Sequence, residues 1–113
     1  MKIIDTKINL PSLQKMAEAG FGEMVKGVVD ADRELLALDA QLHSDLEALL
    51  LTDGSKQANL WGINLYPKAS QEDFVEFDSM INVRPSVGNK SRGVENELLQ
   101  KKIIQIVEKW MQR

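Results

Sequence analysis

Two apolar runs flank a polar turn in residues 23–42, which read EMVKGVVDADRELLALDAQL. The first run, Glu23–Val29, is rich in valine, and the second, Leu35–Leu42, alternates leucine with other residues, as expected of β-strands. The polar segment Asp30–Arg33 between them predicts a hairpin connection, although it lacks the Asn-Gly or Asp-Gly pair of tight turns. This stretch therefore predicts two neighbouring antiparallel strands, around which the rest of the chain is arranged.

Three helices and three further strands are predicted outside this hairpin. The strands are Lys2–Asp5, Leu60–Tyr66 and Phe74–Val83. Asn9 can cap a first helix that runs to about Ala19 and ends before Gly20. Asn96 can cap the last helix. The apolar face of that helix holds Leu99, Ile103, Ile106, Val107 and Trp110. Ser44 and Glu47 match a capping box, which predicts a short helix from Ser44 to about Thr52.

The predicted element order is β-α-β-β-α-β-β-α. Short connections between neighbouring strands favour an α+β fold, a two-layer domain with a mainly antiparallel sheet and helices on one face. The 113 residues show no repeat and no linker, so we expect residues 1–113 to form a single domain.

Composition excludes several classes of protein. The chain has no cysteine, which excludes a disulfide scaffold, a thiol nucleophile and a Cys-ligated metal centre. Its apolar runs are far shorter than the ~20 residues of a membrane helix, and no leader peptide opens the chain, so we expect a cytoplasmic protein with no membrane partner. An acidic net charge of −3 and 5% aromatic residues argue against nucleic acid as a partner.

The charge is unevenly distributed. Residues 30–53 carry seven acidic side chains against one arginine, a net −6, whereas residues 84–113 carry seven basic side chains against three acidic ones, a net +4. Opposite charges of this kind can attract each other within the fold or stay solvated. The excess of basic side chains over residues 84–113 would also suit a local anion-binding site.

Polar side chains share one face of the last two predicted strands. They are Asn64, Tyr66, Glu76, Asp78, Asn82 and Arg84. Such a face is either a groove of hydrogen-bonding groups or simply the wet side of an antiparallel sheet. The loop that follows, Arg84–Gly93, combines cations, glycines and hydroxyls, as a phosphate or carboxylate site would. It matches neither the Walker loop nor the dinucleotide fingerprint, and a solvated connection is the alternative.

His43 is the only histidine, and its unperturbed pKa suits proton transfer near neutrality. Asp45 and Asp78 are the carboxylates that could act with it. No second histidine and no metal-ligand spacing accompanies it, so the sequence predicts no metal site and no cofactor.

The first hypothesis is a binding module for an anionic small molecule or a protein partner. Its ligand-binding residues would be Asn64, Tyr66, Asp78, Asn82, Arg84, Asn89, Ser91 and Arg92. The alternative is a small hydrolase or lyase that uses His43 with Asp45 or Asp78. A third possibility is a structural partner protein, for instance a homodimer, in which Met80 and Phe74 would form an apolar contact patch.

Four segments carry a resemblance to a known family. They are Phe21–Lys26, Leu42–Glu47, Gly54–Gln57 with Leu60–Pro67, and Asn82–Pro85 with Gly88–Arg92. Nearly the whole chain resembles a prokaryotic family of small proteins known only as a domain of unknown function. The resemblance implies a compact cytoplasmic protein and brings no reaction, cofactor or catalytic residue. One departure is Leu38-Asp39-Ala40, where that family tends to have glycines.

Overall fold

The computed structural model describes all of residues 1–113. Its helices are α1 (Leu10–Ala19), α2 (His43–Thr52) and α3 (Glu97–Trp110), and its strands are β1 (Lys2–Ile3), β2 (Ile8–Asn9), β3 (Val25–Asp30), β4 (Leu35–Leu38), β5 (Leu60–Leu65), β6 (Val75–Glu76) and β7 (Met111–Gln112). None of the helices has both the length and the apolar character that crossing a membrane requires.

Five strands form one sheet in the order β1-β4-β3-β5-β6, and every neighbouring pair is antiparallel. The predicted hairpin is confirmed as β3 and β4. In its turn, the Asp30 side chain accepts hydrogen bonds from the backbone N–H groups of Asp32 and Arg33, both at 2.9 Å. This Asx-type turn replaces the missing Asn-Gly pair.

The second strand of the hairpin is shorter than predicted, because β4 ends at Leu38. Asp39 has a φ of 77°, a left-handed conformation that favours glycine and cannot continue a strand. Asp39 therefore ends β4 in a conformation that glycine adopts more readily.

The sheet is covered on both faces. Val29 and Ile63 belong to a large core cluster with Leu13 of α1 and Ile103 of α3. Val28, next to Val29 in sequence, points to the opposite face and joins a second core cluster around α2. The α+β class and the mainly antiparallel sheet are confirmed, but the expectation of helices on one face alone needs correction for α2. Leu46 and Leu50 of α2 have no exposed area, and they pack on the second face because β3 is apolar on both of its sides.

Asparagine caps begin α1 and α3 as predicted. Asn9 accepts a hydrogen bond from the N–H of Ser12 at 2.8 Å, and Asn96 accepts one from the N–H of Leu99 at 3.0 Å. The capping box predicted for α2 is wrong: the helix begins at His43, and no side chain caps its first turn. The Glu47 side chain does not cap the helix and can make another contact.

The long strand predicted over Phe74–Val83 is also wrong in most of its length. Only Val75–Glu76 pairs with β5, and the chain then turns into a short 3-10 helix over Met80–Asn82. Ser79 and Asn82 are buried, and their side chains bond to backbone groups, which competes with a strand ladder. Phe74, expected as part of a surface patch, is 1% exposed and lies in the large core cluster, whereas Met80 is exposed.

The two short strands outside the main sheet join distant parts of the chain. β2 and β7 pair in parallel, with Ile8 opposite Met111 and Asn9 opposite Gln112. This pair adds two strands to the predicted element order and fixes the start of α1 against the end of α3.

Candidate functional site

The polar side chains of Asn64, Tyr66 and Glu76 are hydrogen-bonded to one another. The Asn64 amide donates to Glu76 Oε1 at 2.8 Å and to the Asp78 carbonyl at 3.2 Å, and the Tyr66 hydroxyl donates to the same Glu76 oxygen at 3.0 Å. Burial and the neighbouring Glu76 raise the pKa of Tyr66 above its ordinary value. Tyr66 therefore serves as a hydrogen-bond donor at neutral pH.

His43 is buried at the start of α2, and its Nε2 lies 2.8 Å from the Ile63 carbonyl oxygen. Because a carbonyl only accepts, Nε2 carries the proton of this bond. Burial lowers the pKa of His43, opposed by the bond to Ile63, so the imidazole is neutral at pH 7.

The two carboxylates expected beside His43 are occupied elsewhere or exposed. Asp45 is exposed in the first turn of α2, and Asp78 forms an ion pair with Arg92, whose Nε lies 2.7 Å from Asp78 Oδ1. The His43 ring is instead hydrogen-bonded to the Ile63 carbonyl. No three histidine or acidic side chains converge in a group that could hold a metal ion.

Asn89 organises the loop from Arg84 to Gly93. Its buried side-chain amide donates to the carbonyls of Asn82 at 2.7 Å and Gly93 at 2.8 Å, and its Oδ1 accepts from the N–H of Glu95 at 2.9 Å. Backbone bonds between Arg84 and Asn89 close the loop at its base. Asn89 therefore holds the loop from within.

The loop also carries an anion-binding turn that is already filled by a carboxylate of the chain itself. The N–H groups of Lys90 and Ser91 donate to one oxygen of Glu95, at 2.6 and 2.9 Å. These bonds lower the pKa of Glu95. The backbone N–H groups of the loop thus bind a carboxylate of the chain itself. Sequence reasoning missed this contact because Glu95 lies beyond the loop.

Asn82 and Arg84 close the outer edge of β5 beyond the short strand β6. Asn82 has no exposed area; its Oδ1 accepts from the N–H of Gly62 at 2.8 Å and its Nδ2 donates to the carbonyl of Gly62 at 2.9 Å. Arg84 Nη2 donates to the Leu60 carbonyl at 2.6 Å. These two side chains therefore take the place of a neighbouring strand.

Arg84 is also the most constrained cation of the predicted site. Its guanidinium lies 4.8 Å from the ring centroid of Trp61, and its Nη2 lies 3.7 Å from Glu47 Oε2, which is too far for a hydrogen bond. Burial lowers the pKa of Arg84, and the charge of Glu47 opposes this. Arg84 Nη1 and Glu47 Oε2 have no hydrogen-bond partner, although both atoms are buried.

A groove of about 510 Å³ runs beside this ion pair, between α2 and the segment 80–87. We call it the Arg84 groove; its lining includes Glu47, Gln57, Met80, Ile81, Arg84, Pro85 and Val87. Glu47 and Arg84 are its only charged members. Sequence reasoning missed Glu47 because the capping-box pattern assigned it to the start of α2.

The predicted ligand-binding residues do not share one cavity. Arg84 lines the Arg84 groove, Tyr66 lines two other clefts, and Asp78 pairs with Arg92 at the surface. Asn64, Asn82 and Asn89 are buried in hydrogen-bond networks. Of the predicted set, Arg84 and Tyr66 therefore line clefts, but not the same one.

Comparison with known proteins gives a family and no function. No curated protein and no solved structure matches the chain. The expected resemblance to proteins of unknown function is confirmed by a family model that covers residues 2–110. The chain therefore belongs to the protein of unknown function family DUF5674.

Proposed function

We propose that this protein is a binding module that holds an anionic small molecule or a segment of a protein partner in the Arg84 groove. The observation that carries the proposal is the partly buried ion pair of Glu47 and Arg84, whose Oε2 and Nη1 atoms are buried without a hydrogen-bond partner. Unpaired buried polar groups cost free energy, on the order of 1–3 kcal/mol each. A ligand that draws these side chains into hydrogen bonds would recover part of that cost.

The walls of the groove support the same proposal. Met80 is 66% exposed and Val87 is 64% exposed, and both line the groove. Ligand sites typically combine apolar walls with a few convergent polar groups. His43 supports the hydrolase alternative less well, because its Nε2 is engaged by Ile63 and it does not line the groove.

A titration followed by two-dimensional ¹H–¹⁵N NMR tests the proposal with three probes: inorganic phosphate, acetate and N-acetyl-leucine N-methylamide. We expect at least one probe to shift the amide resonances of Glu47 and of residues 81–84. The variant Arg84→Lys keeps the charge but loses the planar fork, and it should weaken the shifts.

Arg92→Lys is the matched control, because Arg92 pairs with Asp78 outside the groove. If all three probes leave the groove resonances unmoved, the binding proposal is wrong.

A further inference from the structure

We infer that the occupant of the Arg84 groove is an extended protein segment, held by the backbone N–H and C=O of one of its residues against Glu47 and Arg84 rather than by a free anionic group. This inference rests on the proposed function, because it names the ligand class of the same groove. It chooses between the two ligand classes left open above.

The first reason is the charge of the groove. Arg84 is its only cation, and Glu47 lies 3.7 Å away with a full carboxylate. A free phosphate or carboxylate that approached Arg84 would meet this like charge, which is unfavourable in a partly buried site. Both side chains are only 13–14% exposed, so solvent screens the repulsion weakly.

The second reason is that the neighbouring anion-binding groups are already used. The amides of Lys90 and Ser91 hold Glu95, and Arg92 pairs with Asp78. A free anion would have to compete with carboxylates of the same chain, which are present at a high effective concentration. The two backbone amides and Arg92 are therefore already bound to carboxylates of the same chain.

The third reason is chemical complementarity. In an extended segment, the N–H donor and the carbonyl acceptor of one residue point to the same side. The donor matches the Glu47 carboxylate, and the acceptor matches the Arg84 guanidinium, which has only donors. One extended residue thus satisfies both members of the pair, which lie 3.7 Å apart, while a phosphate or carboxylate satisfies only Arg84.

The apolar walls provide for the side chains of such a segment. Met80 is flexible and polarizable, and such residues adapt to varied apolar partners. The segment does not add to the sheet as a strand, because Asn82 and Arg84 already occupy the backbone groups of Gly62 and Leu60 at the β5 edge. Recognition therefore depends on side chains of the groove.

The same NMR titration decides the ligand class when dissociation constants are compared. We expect N-acetyl-leucine N-methylamide to bind the full chain roughly tenfold more tightly than acetate or inorganic phosphate, the effect of about one charge-assisted hydrogen bond. In Glu47→Gln the order should change: acetate affinity rises, because Arg84 is no longer neutralised.

Two further variants separate groove contacts from folding. Met80→Ser should weaken binding of the methylamide while leaving Tm unchanged, because Met80 is already 66% exposed. Glu72→Gln, a charge change that does not line the groove, should alter neither affinity.

Each outcome bears on a different proposal. If acetate or phosphate binds the unmodified chain as tightly as the methylamide, the inference is overturned and the binding module remains. If Glu47→Gln does not raise acetate affinity, the role given to Glu47 is wrong. If no probe binds, the proposed function itself fails.

Discussion

Gly62 occupies a position in β5 where any side chain would collide with the segment that crosses it. A Cβ atom at this position would lie 2.4 Å from Ser79 Cβ and 2.5 Å from Ser79 Oγ. We expect Gly62→Ala to lower the free energy of unfolding by about 1–3 kcal/mol, as overpacking of a core does. Urea unfolding monitored by tryptophan fluorescence measures the change.

Gly93→Ala is the matched control for this substitution, because its Cβ would meet nothing closer than 3.4 Å. The double variant Gly62→Ala/Ser79→Gly should recover part of the loss by making room. Equal effects of Gly62→Ala and Gly93→Ala would contradict the steric explanation.

His43 makes the stability depend on pH. Burial places its folded-state pKa below the usual value of 6.5, so at pH values between the two the unfolded chain binds more protons than the folded one. The free energy of unfolding should therefore fall as the pH falls below about 6.5, until the folded-state pKa is passed. Urea unfolding on both sides of pH 6.5 measures this slope.

His43→Gln supplies the comparison, since glutamine does not titrate and its amide can still donate to Ile63. The variant should lose the slope in this window. An unchanged slope would show that another group is responsible for it.

At the scale of elements, Asn82 is one of the two side chains that bond to the outer edge of β5, together with Arg84. Asn82 takes the place of a strand by bonding both backbone groups of Gly62 and the Arg92 carbonyl. We expect Asn82→Leu to cost about 3 kcal/mol, because it leaves the buried N–H of Gly62 without an acceptor. Urea unfolding measures the loss of stability. Faster hydrogen exchange of the Gly62 amide would show that the structure is weakened at this edge of β5.

Asn96→Ala provides a control of another kind, because it removes a helix cap and should cost only about 1 kcal/mol. If Asn82→Leu were no more costly than Asn96→Ala, Asn82 would not be holding the edge.

The elements also show which signals the sequence carries. The helices α1 and α3 could be predicted because their asparagine caps and apolar spacing are local features. The segment after Glu76 could not, because its alternation resembles a strand while Ser79 and Asn82 bond to backbone groups through their side chains. The bonds of Asn82 reach Gly62 of β5, 20 residues away in the chain, and no local pattern contains them.

The candidate site was predictable to a similar extent. Arg84 was identified from its place between the polar face and the loop, and it does line a groove. Glu47 was hidden because Ser44 and Glu47 match a helix-start pattern, although α2 begins one residue before Ser44. The internal occupancy of the loop by Glu95 depends on backbone geometry that composition does not encode.

At the scale of the molecule, the uneven charge becomes a set of contacts. The basic third of the chain meets the acidic segment through Arg84 with Glu47 and through Lys109 with Glu34. The second pair is about half exposed, and such pairs contribute little to stability. The charge pattern therefore marks which parts of the chain lie together more than it stabilises them.

The two core clusters predict that both faces of the sheet support the fold. Leu13 of α1 and Leu50 of α2 lie on opposite faces, and neither has any exposed area. We expect Leu13→Ala and Leu50→Ala each to lower the free energy of unfolding by about 2–5 kcal/mol. Urea unfolding compares them with Leu51→Ala, whose side chain is 40% exposed and whose loss should be much smaller.

If the face of the sheet next to α2 were exposed to solvent, Leu50→Ala would lower the free energy of unfolding as little as Leu51→Ala. Such a result would restore the two-layer arrangement with all helices on one side of the sheet.

The parallel pair of β2 and β7 has a consequence for the order of folding. Ile8 and Met111 meet only after almost the whole chain has been gathered between them, and closing so long a loop costs conformational entropy. The hairpin of β3 and β4 closes over a few residues and requires no such step. The pairing of β2 with β7 is thus expected to form late in folding, after the five-stranded sheet, and to break early when the protein unfolds.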